Sequence, residues 1–350
     1  MINNFKTLTR AYSLPVSITP FLIAFCCAYQ TNGFSDTSYM FGANALLILI
    51  AIILVHLGGN LFDDYSDVLK ELRSGKSLNE INFRNKEKAK LILNKTYSMK
   101  TVGKILAVMF AVPILTGIYF TVLKGGVILG LMILSGILCL FYPKSAKYGL
   151  GEITVGLIFG PLLINGTYYA LTGNFDPQTV YFSIASGLMT TILLMAHSIM
   201  DYEYDITTDK KTIPVMIKNK PAAINFIGFV ILAAYLFIIY TVIEYNTCKL
   251  FLLPVILTLP LSIKLVNSLY DYINIKNVQF IPKWYMGIME NWEEIKRNNM
   301  AYFMYRFYLA RNLASIFNII LAIVCLLCFS PAGVTKIQQL EIIRTINIQF

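Results

Sequence analysis

Apolar runs near residues 14–31, 41–62, 102–122, 126–142, 150–171, 179–200, 222–243, 249–267 and 303–329 occupy most of this 350-residue chain. A helix needs roughly 20 apolar residues to cross the hydrocarbon of a bilayer, and only helices or closed barrels satisfy every backbone polar group there. The runs therefore predict an all-α integral membrane protein with nine transmembrane helices, forming one domain over residues 1–350. Composition agrees: 57% of the residues are hydrophobic and 14% charged, where a soluble domain carries about a quarter charged residues. An ordinary soluble globule is excluded. Pro15, Pro20, Pro113, Pro161 and Pro254 fall inside runs, which membrane helices tolerate as kinks. Cys26, Cys27, Cys139, Cys248, Cys325 and Cys328 lie in or beside apolar runs without paired zinc-ligand spacing, so they read as packing residues. Residues 1–12 are polar, and no cleavage site follows the first run, so the N-terminus is expected to remain on the mature protein.

The net charge of +10 suits nucleic acid or a membrane surface, and its distribution selects the second. With the N-terminus in the cytoplasm, only Lys124, Lys249, Lys336 and Arg344 of 29 basic residues fall in exterior segments. That is the bias expected of cytoplasmic connections, and it puts the C-terminus outside. The cytoplasmic segments are then 63–101, 201–221 and 268–302. The last contains Trp284 and Trp292 and reads as an interfacial helix with aromatic anchors, or as a lid. Lipid is an expected partner and nucleic acid is not.

Two polar stripes interrupt this apolar background. The second run ends HLGGNLFDDYSD, with His56, Asn60, Asp64 and Asp67 at intervals of four, four and three. The sixth ends HSIMDYEYDITTDKKT, with His197, Asp201, Asp205 and Asp209 four apart throughout. Such spacing puts each set on one helix face, while Asp63, about 100° from Asp64, is expected to face elsewhere. Carboxylates near the membrane are costly and mark functional sites. If the two faces meet, they repel unless a cation lies between them. Mg²⁺ suits that demand, because it takes carboxylate oxygens, keeps water and completes its shell with substrate phosphate.

NLFDDYSD and DYEYDITTDKKTIPV resemble the two aspartate-rich motifs of the UbiA superfamily of intramembrane prenyltransferases. LTRAYSLPVSITP, GLGEITVGLIFGPLLINGTYYALTG and RFYLARNL are similar to the branch that prenylates 1,4-dihydroxy-2-naphthoate in menaquinone synthesis. The resemblance implies one helical bundle around a central cavity with cytoplasmic cap loops. It implies Mg²⁺-dependent transfer of a polyprenyl group from polyprenyl diphosphate to a small aromatic acceptor, in a bacterial inner membrane with the site facing the cytoplasm. The implied catalytic residues are Asp64, Asp67, Asp201 and Asp205, which with Asn60 would hold metal and diphosphate. Lys210 and Thr212 match the family's Lys and Thr after the second motif, with Lys211 competing for the role of Lys210. The chain departs from the pattern at His197, Ser198, Ile199 and Met200, where the family often has Asn-Asn-Leu-Arg, so another cation must replace the Arg. Asp209 stands for a Gly and Ile206 for a frequent Arg.

Lys144, Lys147 and Lys210 are candidates to stabilise the departing diphosphate. Tyr65, Tyr142, Tyr148, Tyr168 and Tyr169 are candidate π walls for the allylic cation, each weighed against ordinary packing. Arg10 suits the acceptor's carboxylate or an interfacial anchor. His56 and His197 suit a ligand-orienting or proton-shuttling role, or an interhelical hydrogen bond. Glu152 is expected to favour a helix N-terminus, and Asn165 to hydrogen-bond between helices. Two alternatives remain at this stage: transfer to 4-hydroxybenzoate or another acceptor, and a cation or proton transporter, which would place its charges nearer mid-membrane.

Overall fold

The computed structural model describes residues 9–32, 38–75, 99–208, 210–274 and 280–332, with backbone only at 38, 67–72, 99, 143 and 146. The long helices are α1 (Pro15–Asn32), α2 (Ser38–Arg73), α3 (Met99–Lys124), α4 (Gly126–Ser145), α5 (Gly151–Thr172), α6 (Pro177–Met200), α7 (Lys220–Glu244), α8 (Leu253–Ile273) and α9 (Ala301–Cys328). Among the described residues eight helices are long and apolar enough to cross a membrane, and the apolar stretch of α4, Gly126–Tyr142, is shorter. Nine spans were expected; eight are long and apolar enough among the described residues, and the run at 126–142 falls short of that length. The chain divides into two compact units, one of Met1–Ile18 and Tyr39–Ile133, the other of Thr19–Ser38 and Leu134–Phe350.

In the first unit α2 runs 36 residues, about 54 Å at 1.5 Å per residue. That exceeds the roughly 30 Å hydrocarbon core, so the helix continues past the expected end at residue 62 through the polar DDYSDVLKELR. Leu57 and Leu61 of α2 pack with Val102, Leu106 and Met109 of α3, and Leu14 and Tyr65 lean on the same cluster. Gly58 lets the helices approach, since a Cβ there would lie 3.3 Å from the Met109 Cβ.

The second unit is organised on α6. Asp176 caps that helix: its Oδ1 accepts from the amides of Gln178 (2.8 Å) and Thr179 (3.2 Å), and its Oδ2 from Ala332 (2.9 Å). Pro177 follows at the first helical position, where its missing amide costs nothing. Helix α5 contains a π turn, Ile158–Leu162, around Pro161, the insertion that lets a kinked helix re-pair its backbone. Gly160 of α5 meets Gly187 of α6 there: a Cβ on Gly160 would stand 2.5 Å from the Gly187 Cα. Close backbone contact through small residues is the usual way membrane helices gain packing energy without a hydrophobic driving force. Asn165 completes the contact, donating to Ser183 Oγ at 2.8 Å as expected of an interhelical bond.

Candidate active site

In the first unit the motif lies where α2 leaves its apolar stretch. Asp64 is 3% exposed, and the Arg10 guanidinium pairs with it and stands 3.5 Å from Asp63. Asp63, expected to face elsewhere, thus shares the cation with its neighbour. Arg10 has a left-handed backbone, φ 50° and ψ 44°, just before the 3₁₀ turn Ala11–Ser13. Burial works against its charge, but attraction to Asp64 and then Asp63 outweighs that cost, so its proton is held more tightly than in water. Asn60 Nδ2 donates to the Thr9 carbonyl (3.1 Å) and to Ser13 Oγ (3.2 Å), and Ser13 Oγ also bonds His56 Nε2 at 2.7 Å. His56 and Asn60 therefore tie residues 9–13 to α2. The Asp67 side chain lies outside the described residues.

In the second unit Asp201 and Asp205 are 8% and 5% exposed, one turn apart where α6 gives way to the short helix Tyr202–Thr207. His197 Nδ1 lies 3.2 Å from Asp201 Oδ2, and its ring packs edge-on against Phe303 of α9 at 5.2 Å. Thr212 Oγ1 donates to Asp205 Oδ2 at 3.4 Å, and the Lys210 amide donates to the Asp205 carbonyl at 3.0 Å. Lys210 is half-buried and Lys211 exposed, while Asp209 lies outside the described residues.

Glu152 lies in the first turn of α5, as expected of a carboxylate at a helix N-terminus, and is 2% exposed. Its Oε1 accepts from Ser198 Oγ (3.0 Å) and from the Ile213 amide (3.2 Å), while the buried Oε2 has no hydrogen-bond partner. Ser198 precedes Asp201 by three residues, and Ile213 follows Thr212. One carboxylate therefore clasps both ends of the segment that carries Asp201 and Asp205. The Met200 carbonyl accepts from Tyr272 Oη at 3.0 Å. Lys220 is engaged nearby with Glu203 at 2.6 Å, over the Tyr202 ring.

Lys144 and Lys147 are exposed; Tyr142 is half-buried, its carbonyl accepting from Ser145 Oγ at 2.6 Å. Tyr148 is 66% exposed and stacks on Phe141 at 6.0 Å. Tyr65 belongs to the packing around Leu57 and Leu61. Tyr168 and Tyr169 are corrected as π walls: Tyr168 bonds Thr31 Oγ1 at 2.9 Å, and Tyr169 packs on Phe175 at 4.8 Å. They stand 16 and 17 residues along α5 from Glu152, about 24 Å away along the helix axis.

Among the described residues no three His, Cys, Asp or Glu side chains cluster as a protein-only metal cage would. Magnesium does not ask for one: it commonly takes one or two carboxylates and fills its shell with water and substrate phosphate. Buried, oxygen-only donors at Asp201 and Asp205 fit that habit. They do not fit zinc, which takes His and Cys.

Comparison with known proteins agrees with these features. A protein named 1,4-dihydroxy-2-naphthoate octaprenyltransferase from Haemophilus influenzae is 27% identical over 213 residues, 59% of this chain and 66% of that protein. A UbiA homolog from Aeropyrum pernix superposes with a TM-score of 0.56 at 18% identity, over 90% of this chain and 96% of the other. A UbiA homolog from Archaeoglobus fulgidus, solved with GPP and Mg²⁺, gives 0.54 at 14% identity, over 89% and 99%. The profile of the UbiA prenyltransferase family matches residues 17–284, and this helical membrane protein belongs to that family of enzymes.

Proposed function

We propose that the protein transfers a polyprenyl group from polyprenyl diphosphate to a small aromatic acceptor, 1,4-dihydroxy-2-naphthoate, with loss of its carboxyl group, in menaquinone biosynthesis. The observation that carries the reading is the second motif: two buried carboxylates one turn apart at a helix end, each braced by a neighbour. The matching name of the Haemophilus protein supports the acceptor, and GPP and Mg²⁺ in the Archaeoglobus protein support donor and metal. Asn60, Asp64, Asp67, Asp201 and Asp205 are assigned to metal and diphosphate. Bound magnesium supplies Lewis-acid neutralisation of the leaving diphosphate.

The chain's own groups do the rest. His197 holds the orientation of Asp201, and Thr212 that of Asp205. Lys210, with Lys144 and Lys147 as further cations, faces the negative charge that grows as the C–O bond breaks and the electron pair leaves with the diphosphate. Tyr142 is assigned to the allylic cation. The acceptor's ring carbon bearing the carboxylate forms the new C–C bond, and carbon dioxide departs. Arg10 is assigned to that carboxylate, a role that requires it to leave Asp64, and His56 keeps residues 9–13 in register. The N-terminus and the site are assigned to the cytoplasmic side of a bacterial inner membrane on the distribution of basic residues.

The test is incubation of the purified protein with polyprenyl diphosphate, Mg²⁺ and a panel of aromatic acceptors, with products read by mass. Prenylated, decarboxylated naphthoquinol is expected. Product from 4-hydroxybenzoate alone would move the acceptor assignment, and no prenylated product from any acceptor would overturn the reading.

A further inference from the structure

The connection between α8 and α9 is pinned to α9 by buried polar side chains. Asn312 Nδ2 donates to the carbonyls of Met286 (2.8 Å) and Ile288 (2.9 Å). Arg311 donates to the Ile288 carbonyl and to the Glu290 carboxylate, each at 2.8 Å, and Tyr308 Oη to the Glu290 carbonyl at 3.1 Å. Met286 turns inward, 1% exposed. Gly287 has φ 79°, and a Cβ there would stand 2.8 Å from the Asn312 side chain, so the chain can pass this close to α9 only as glycine.

With the backbone held down, three apolar side chains are forced outward: Ile281 (58% exposed), Trp284 (93%) and Ile288 (76%), beside an exposed Lys283. The length of α9 indicates what covers them. Its 28 residues span about 42 Å against roughly 30 Å of hydrocarbon, an excess of about 12 Å. The connection grips α9 at Tyr308–Asn312, seven to eleven residues from Ala301, or roughly 11–17 Å along the axis. With that excess placed at the Ala301 end, the side expected to be cytoplasmic, the grip falls where the helix would pass from headgroups into acyl chains. Both ends of the connection, moreover, belong to candidate spans.

We propose that residues 281–288 form an in-plane membrane anchor that inserts Ile281, Trp284 and Ile288 into the headgroup–acyl boundary, with Lys283 at the phosphates. Indole at this boundary beside a basic residue is the usual chemistry of interfacial segments. The anchor bears on the candidate site through α9, whose Phe303 packs on His197, the neighbour of Asp201. It therefore sets the depth at which the second motif is held relative to lipid.

The chain has two tryptophans, which makes the test direct. Trp292→Phe leaves Trp284 as the only indole, and in nanodiscs its emission is read with acrylamide and with lipids brominated near the carbonyl region. Strong quenching by the brominated lipid and little by acrylamide is expected. Acrylamide access without lipid quenching would overturn the proposal in favour of a water-exposed loop. Protection from both would overturn it in favour of a covering protein, such as a second copy. If Trp292→Phe fails to fold, the difference between wild type and Trp284→Phe isolates the same signal.

Discussion

Replacing Glu152 tests whether the segment carrying Asp201 and Asp205 must be clasped at both ends. Glu152→Ala removes the acceptor of two bonds, from Ser198 Oγ at 3.0 Å and the Ile213 amide at 3.2 Å. A buried donor left without a partner costs about 1–3 kcal/mol. The loss is offset in part because the substitution also deletes Oε2, which is buried without a hydrogen-bond partner. The net expectation is about 2–4 kcal/mol of stability. The effect on turnover is separate: displacement of a catalytic group by an ångström costs on the order of 100-fold, and Thr212, which holds Asp205, is next to the released Ile213. Glu152→Gln keeps one carbonyl oxygen for both donors and is expected to stay within about threefold of wild type, since a single neutral bond is worth about 1 kcal/mol. The assay is turnover and KM for the diphosphate in detergent, with thermal unfolding of each variant. An alanine variant that unfolds at the wild-type temperature and turns over at the wild-type rate would refute the clasp.

Three further outcomes follow from the packing and charge. Arg10→Gln removes the cation that competes for Asp64, and the Mg²⁺ concentration for half-maximal turnover should fall about three- to tenfold, the scale of a partly exposed ion pair of ~1 kcal/mol; an unchanged requirement would show that Arg10 and metal do not compete. Gly160→Ala drives a Cβ to 2.5 Å from the Gly187 backbone and should cost about 1–3 kcal/mol or more, since backbone cannot turn aside; an unchanged melting temperature would contradict the close contact. Burial raises the Asp176 carboxyl above its ordinary 3.8 despite three backbone amides that pull it down. The folded state then keeps a proton that the unfolded chain releases, so this group's contribution to stability falls as pH rises from about 3.8 to its raised value and is flat above. Asp176→Asn keeps the cap and should abolish that dependence in thermal scans.

The apolar helices and the aspartates Asp64, Asp201 and Asp205 were legible in the sequence because both kinds of signal are periodic. Apolar length sets spans, and intervals of three and four set a face, so Asp64 comes out buried where α2 leaves its apolar stretch and Asp201 and Asp205 where α6 ends. Where local pattern carried no information, the reading stopped short. Glu152 does sit at a helix start, but its partners there, Ser198 and Ile213, lie 46 and 61 residues away and leave no local signal. The pairing of Arg10 with Asp63 depends on a left-handed turn at Arg10, which no propensity scale assigns to arginine. Tyr168 and Tyr169 were grouped with the site by residue type alone, although counting helical rise from Glu152 already placed them at the far end of α5. The anchor segment shows in sequence only as two tryptophans; its geometry comes from Arg311 and Asn312, whose partners at Met286, Ile288 and Glu290 lie more than 20 residues away.

The central claim is that the aspartate motifs act by holding magnesium and diphosphate. The most direct measurement is turnover against Mg²⁺ concentration, after stripping with chelator, for the wild type and for Asp201→Asn and Asp64→Asn. Wild-type activity should be lost on stripping and restored by Mg²⁺, while both variants, folded by their melting profiles, stay inactive at every concentration. Full turnover by either variant, or by stripped wild type without added metal, would contradict the account.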